Sequence, residues 1–245
     1  MGVLSGLGHY FLLLRETLAS FEKGRLLYER MLAEMEDIGL NSIPIVALIA
    51  IFTGAVTTVQ TAYQIVSKLI TPDVIGAVVS DSMILELAPT ISSLVLAGRV
   101  GSSIASQIGS MRVTEQIDAL DVMGVNTPNF LIFPKLVAGI ITIPLLILMA
   151  MVLGIASGML VGDLTGVVSS FEFLEGARAS FRPYTFFFAL TKSFTFAFLI
   201  VSISAYQGYF VRGGALEVGR ASTRAVVFSA INILLFDYIL AQLLL

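Results

Sequence analysis

The chain has 245 residues, 57% of them hydrophobic and 13% charged, with a mean hydropathy of +0.94, a balance that excludes an ordinary soluble globular domain. Cysteine is absent, which excludes a disulfide framework, a thiolate metal site and a cysteine nucleophile, and the sole histidine, His9, cannot build a metal site alone. A net charge of −3 without long basic runs gives no electrostatic footprint for nucleic acid.

No basic residue precedes the short apolar run Tyr10 to Leu14 and no A-x-A-like site follows it, so the N-terminus does not read as a cleaved signal peptide. From Leu7 to Ile38 apolar residues recur at Leu7, Phe11, Leu14, Leu18, Phe21, Tyr28, Met31, Met35 and Ile38, on one helical face. Between them lie Arg15, Glu16, Glu22, Lys23, Arg25, Glu29, Arg30, Glu34, Glu36 and Asp37. That much charge cannot cross hydrocarbon, but the segment can lie in the headgroup plane with its apolar face down. The competing reading is a soluble helix packed on a partner.

Asn41 to Ser67 carries no charge, and about 20 such residues span a bilayer core as a helix. Four further crossings are expected: Ile84 to Ser110, holding Glu86 and Arg99; Leu136 to Gly162, free of charge; Tyr184 to Phe210, holding Lys192; and Ala225 to Leu245, holding Asp237. The expected fold is therefore an all-α integral membrane protein of about five transmembrane helices. Residues 1–40 are expected to form an amphipathic interfacial helix and residues 41–245 a single transmembrane helical domain. Five crossings place the termini on opposite sides. Arg15, Lys23, Arg25, Arg30, Arg112, Lys135, Arg212, Arg220 and Arg224 fall on the N-terminal side, against Lys68, Arg178 and Arg182 on the other. The bias predicts a cytoplasmic N-terminus and an external C-terminus.

Small residues recur every fourth position at Ala97, Gly101, Ala105 and Gly109, and again at Gly154, Gly158 and Gly162. Such ridges allow close helix approach within or between subunits. Along the first crossing Thr53, Thr57, Gln60, Gln64 and Ser67, with Tyr63 beside them, draw one mildly polar stripe. The stripe suits either a mixed wall for a lipid or hydrogen-bonding glue between helices. Charges inside crossings are costly, which makes Glu86, Arg99, Lys192 and Asp237 functional candidates by default. Glu86 sits near the outer end of its helix, where reaching water is the favoured reading. Arg99 is the first choice for a phosphate ligand, because a guanidinium matches phosphate geometry. Lys192 and Asp237 read equally well as a structural ion pair.

Between the second and third crossings, Ser110 to Gly124 reads as a short helix. Thr114 is the expected N-cap, Glu115 and Asp118 sit in the first turn, Ile117, Leu120 and Met123 share a face, and Gly124 suits the stop. Periodicity leaves open whether this is a passive connector or a grip for a soluble partner. The surrounding sequence, Ala97-Gly-Arg-Val-Gly-Ser-Ser-Ile-Ala-Ser-Gln-Ile-Gly109 followed by Met111-Arg-Val-Thr-Glu-Gln-Ile-Asp-Ala-Leu-Asp-Val-Met-Gly-Val125, resembles the MlaE-type permease family. The resemblance extends to Glu86-Leu-Ala-Pro89, Pro134-Lys135 and Gly213-Gly-Ala-Leu-Glu-Val-Gly-Arg-Ala-Ser-Thr-Arg-Ala-Val-Val227, and so covers most of the chain from residue 84 onward.

That resemblance implies the membrane subunit of an ABC transporter that moves phospholipids between inner and outer membranes. It implies a coupling helix at 114–124, with Thr114, Glu115, Gln116, Ile117, Asp118, Leu120 and Asp121 docking on a cytoplasmic ATPase. It further implies two paired copies of the chain, a periplasmic MCE-domain subunit above them, and the inner membrane of a Gram-negative-type bacterium. Gln107 stands where the family usually has glutamate, Ala88 where it has glycine, and Lys135 where arginine is common. No G-x-x-x-x-G-K-[ST] occurs, so ATP and Mg belong to a partner and no cofactor is expected on this chain. Two other classes compete: an ion-coupled secondary carrier using Glu86, Asp237 and Lys192 as a relay, and a lipid-modifying membrane enzyme. The enzyme is disfavoured by the lack of H-E-x-x-H and G-x-S-x-G motifs.

Overall fold

The computed structural model describes residues 3–19, 25–65 and 71–244. Phe21, Glu22 and Lys23 of the amphipathic segment, Ser67 of the polar stripe, and Lys68 lie outside the described residues, as do the side chains of Leu7 and Arg25. About 90% of the structure is helical, and no strand occurs among the described residues. Among those residues eleven α-helices follow in chain order: α1 (Val3–Ala19), α2 (Arg25–Ile38), α3 (Ile43–Gln64), α4 (Asp73–Ser82), α5 (Ser92–Leu96), α6 (Ser102–Val113), α7 (Gln116–Val122), α8 (Thr127–Leu164), α9 (Ser170–Ser180), α10 (Pro183–Tyr209) and α11 (Ala215–Leu244).

Five helical stretches of the described chain are long and apolar enough to cross a bilayer: Leu27–Gln64, Asp73–Val113, Thr127–Leu164, Pro183–Tyr209 and Ala215–Leu244. The second, third and fifth begin roughly ten residues before the expected crossings. Charge marks where hydrocarbon ends, whereas a helix continues wherever its backbone hydrogen bonds close. The second stretch is not uniformly α-helical. Met83–Ile91, which contains Pro89, and Ala97–Gly101 are π-helical, so α4, α5 and α6 form one path with two widened segments. Proline lacks an N–H to donate, and a π segment absorbs the missing bond by adding a residue to the turn.

The contacts divide into two units. One holds the described residues up to Ser42, with Leu96–Ile143 and Thr195–Phe236. Its interior is built from Ile38, Ile104, Ile108, Ile132, Ile143 and Ile200, all nearly fully buried. Glycine brings α6 and α10 together: a Cβ on Gly208 would sit 2.7 Å from the Ala105 carbonyl oxygen. Gly101 and Gly109 of the first small-residue ridge face Ser204, Val211 and Val218 in the same chain. Helix α1 is fixed by one face. Leu13 and Thr17 are buried, Tyr10 Oη lies 2.8 Å from Ser202 Oγ, and Asn129 Nδ2 donates to the Thr17 carbonyl at 2.6 Å. Phe11, Leu12 and Leu18 remain outward, which suits a helix lying at a lipid surface.

The second unit comprises Ile43–Val95, Pro144–Phe194 and the described residues from Asp237 onward. Here the second ridge packs on α3: Gly54 abuts Gly154 backbone to backbone, and Gly158 faces Thr58. Gly76 against Phe173 and Gly176 against Asp73 make an equally close crossing of α4 and α9. Van der Waals contact of this kind is what holds helices together in lipid, where burial of apolar surface gains little. Helix α9 starts with a full capping box, Ser169 Oγ accepting from the Glu172 amide and Glu172 Oε2 accepting from the Ser169 amide at 3.0 Å.

Candidate functional site

Three of the four intramembrane charges meet in the second unit. Lys192 on α10 has no exposed side-chain surface. Its Nζ donates to Glu86 Oε2 at 2.7 Å and to the Leu85 carbonyl at 3.0 Å, and forms an ion pair with Asp237 on α11. The Leu85 carbonyl lies in the π segment, and the Phe188 ring lies 5.3 Å from the ammonium. Thr90 Oγ1 lies 3.1 Å from Asp237 Oδ2 and 3.3 Å from Glu86 Oε1, tying the two carboxylates to one hydroxyl. Glu86 is 53% exposed at its side chain and Asp237 only 10%, so one carboxylate opens outward while the other is enclosed. Glu86 thus reaches the surface and pairs with Lys192 at once. One ammonium between two carboxylates leaves a formal charge of −1, a polar point in a hydrophobic wall.

Arg99 belongs to the first unit and the second π segment. Its guanidinium donates to Ser42 Oγ and to the Asp37 carbonyl at 3.4 Å, and it lines a cavity of about 150 Å³ with Asp37, Ile38, Val100, Ser103 and Ile104. Among the described residues no carboxylate side chain pairs with it. Its charge is therefore met only by neutral oxygens. Gln60, Tyr63 and Gln64 lie exposed on α3, Tyr63 at 84%. Thr57 turns its hydroxyl onto the Thr53 carbonyl of its own helix at 2.7 Å.

The short helix between α6 and α8 differs from expectation at its start. Thr114 ends α6, with its hydroxyl on the Ser110 carbonyl at 2.9 Å, and does not cap the next helix. Glu115 occupies that position with φ +59°, the only non-glycine residue with positive φ among those described. A left-handed glutamate is uncommon, and here it turns the chain sharply between two helices. Ile117 is buried and Leu120 half-buried, whereas Met123 lies 68% exposed and Val122 89%. Met123 therefore does not share the inward face, because α7 ends at Val122 and Gly124, at φ +78°, bends the chain away.

Side chains tie α7 to its neighbours. Arg112 donates to Asp118 at 2.7 Å, and Thr127 Oγ1 on α8 donates to Asp121 at 2.8 Å while lying 2.8 Å from Tyr209 Oη on α10. Three membrane-crossing paths are thus connected through one seven-residue helix, with Glu115, Val122 and Met123 exposed at its two ends.

Sequence reasoning did not find a second polar node. Lys135, 5% exposed at its side chain, donates to Glu34 on α2 at 2.5 Å and to Gln107 on α6. The Arg30 guanidinium lies 3.3 Å from the Phe130 ring centroid. Placing Lys135 outside its crossing hid it, since α8 begins eight residues earlier, at Thr127. The signal was present in the departures Gln107 and Lys135, which prove to be mutual partners.

A five-span helical protein with a short charged helix clamped at one connection, and with no P-loop motif in its sequence, has the build of a transporter's membrane subunit. Residues 31–243 match the family described as Permease MlaE, and the chain belongs to that family of ABC transporter permeases. It is similar to a probable ABC transporter permease protein of Rickettsia bellii (38% identity over 97% of this chain and 91% of the relative). A like-named protein of Rickettsia felis is 40% identical over 84% and 79% of the two chains. The chloroplastic protein TRIGALACTOSYLDIACYLGLYCEROL 1 of Arabidopsis thaliana is 34% identical over 91% of this chain and 63% of its own length.

Proposed function

We propose that this chain is the membrane-spanning subunit of an ATP-driven transporter that moves phospholipids between the inner and outer membranes of a Gram-negative-type bacterium. The observation that carries the reading is α7: a rigidly tied helix with exposed carboxylates and exposed Val122 and Met123, at a sequence that resembles the family's coupling helix. A cytoplasmic ATPase gripping it would move α6, α8 and α10 together. The nine-to-three bias of basic residues supports a cytoplasmic N-terminus and a periplasmic C-terminus. ATP and Mg stay on the partner. A second copy of the chain and a periplasmic MCE-domain subunit complete the proposed assembly.

A lipid cargo is supported by three features: the guanidinium of Arg99, which has no carboxylate side-chain partner among the described residues, for phosphate, the sparse polarity of the spans, and the galactolipid in the Arabidopsis relative's name. Gln60, Tyr63, Gln64, Glu86, Lys192 and Asp237 are the remaining translocation candidates. Replacing Glu115 and Asp118 together by lysine tests the docking role. The double variant is expected to insert normally and lose its ATPase on purification; full ATPase binding and activity would remove the assignment. The alternative of an ion-coupled carrier draws on the Glu86–Lys192–Asp237 cluster, and it predicts transport that follows an ion gradient and ignores an inactive ATPase.

A further inference from the structure

The sequence around Gly213 to Val227 is used by neither α7 nor the intramembrane charges, yet it helps enclose a cavity of about 280 Å³. His9 from α1, Tyr206 of α10, the following Phe210 and Arg212, and Glu217 and Arg224 of α11 line it, all within the first unit. Its depth is fixed by topology. One apolar span ends at Tyr209 and the next begins at Ala215, so the connection between them lies at a membrane–water boundary, where aromatic rings concentrate. The wall is indeed a ring cluster: Tyr206 and Phe210 centroids are 5.1 Å apart, His9 and Phe210 5.9 Å, and Tyr10 and Tyr206 5.7 Å.

The charge of the cavity is one-sided. Glu217 Oε1 accepts from Arg220 at 2.5 Å, which neutralises the single carboxylate. Arg212 and Arg224 are exposed, and neither has an ion pair or hydrogen bond among the described residues. Two free guanidinium groups at the headgroup level, beside aromatic walls, match a phosphate that brings apolar chains with it. Leu216 at 70% exposure and Phe11 at 65% extend apolar surface on the two elements that flank the cavity. We propose that this cavity binds the phosphate headgroup of an anionic lipid in the leaflet on the N-terminal side, a resident lipid that fastens α1 to α10 and α11. This goes beyond the transport reading and holds for any cargo.

The test is native mass spectrometry of the detergent-purified full chain with whatever subunits co-purify. It is titrated with phosphatidylglycerol or phosphatidylcholine of matched acyl chains, for the parent, Arg212→Gln/Arg224→Gln and the control Arg178→Gln. The double variant should bind phosphatidylglycerol roughly 30-fold more weakly, from two interfacial cations, with phosphatidylcholine binding unchanged and the control like the parent. Equal phosphatidylglycerol binding by parent and double variant overturns the proposal. So does full displacement of the lipid by millimolar inorganic phosphate, which would make this a free-anion site. Loss of a co-purifying protein with lipid binding intact would make the patch a protein-docking surface, and equally overturns it. Because both guanidinium groups are exposed and unpaired, the substitutions leave the packing untouched, and an unchanged melting temperature in lipid-free detergent verifies that.

Discussion

Replacing Lys192 by methionine keeps the volume and removes the one cation that lies between Glu86 and Asp237. Asp237, 10% exposed at its side chain, then keeps only the Thr90 hydroxyl. Breaking a buried pair by deleting one partner costs about 3–5 kcal/mol, since the remaining charge is enclosed and uncompensated. Glu86, half exposed, can hydrate and adds little to that figure. For a chain of this size about 3 kcal/mol corresponds to a fall in melting temperature of roughly 6–12 °C, taking 2–4 °C per kcal/mol. The assay is thermal unfolding of the detergent-purified protein for Lys192→Met, Asp237→Asn and the double variant. In the double variant the neutral amide introduced by Asp237→Asn is tolerated beside methionine, with Thr90 still supplying a donor, so more than half of the loss should be recovered. A Lys192→Met protein as stable as the parent, or a double variant no better than Lys192→Met, would refute the claim that the cluster is an electrostatic unit.

Arg99→Ala should weaken phospholipid binding about tenfold or more, as expected for losing a charge-assisted hydrogen bond, while Arg178→Ala in the loop-side helix α9 leaves it unchanged; a lipid titration of both variants decides it. Gly54→Ala places a Cβ on the Gly154 carbonyl and should destabilise by about 1–3 kcal/mol through overpacking, read as a lower melting temperature. The Glu172 carboxyl is held below the usual carboxylate range by its hydrogen bonds to the Ser169 hydroxyl and amide. A depressed carboxylate contributes stability at neutral pH and loses it as the pH falls through the depressed value. Ser169→Ala should therefore lower the melting temperature slightly at pH 7, and the difference from the parent should shrink in acid. A difference that stayed constant with pH would break the link to Glu172.

Crossings were legible because bilayer thickness imposes a length and an absence of charge, and both are visible one residue at a time. Their true starts were not. Asp73 to Ser82, Thr127 to Lys135 and Ala215 to Arg224 each hold charged or polar residues that mark a boundary in the sequence, yet the helical stretches include them. The π segments were equally hidden, since Pro89 signals a disturbance without saying how it is absorbed. Of the candidate site, each intramembrane charge announced itself by its cost in hydrocarbon, and a Lys192–Asp237 ion pair was one of two readings the residues left open. Glu86 joined them because a widened turn brings the Leu85 carbonyl and the Glu86 carboxylate to the same ammonium, a geometry no spacing rule contains. Thr114 misled because a threonine before an acidic turn is a common capping signal, and the left-handed backbone at Glu115 is a tertiary outcome. The Glu34–Lys135–Gln107 node needed two residues about 100 positions apart to meet.

The most direct test of the transporter reading is gentle purification of the tagged chain from its native membranes, with co-purifying proteins and lipids identified together by mass spectrometry. The expected result is a nucleotide-binding ATPase and phospholipid in the same complex, with the ATPase lost when Glu115 and Asp118 become lysine. A chain that purifies with neither, from a preparation in which other membrane complexes stay intact, would contradict it.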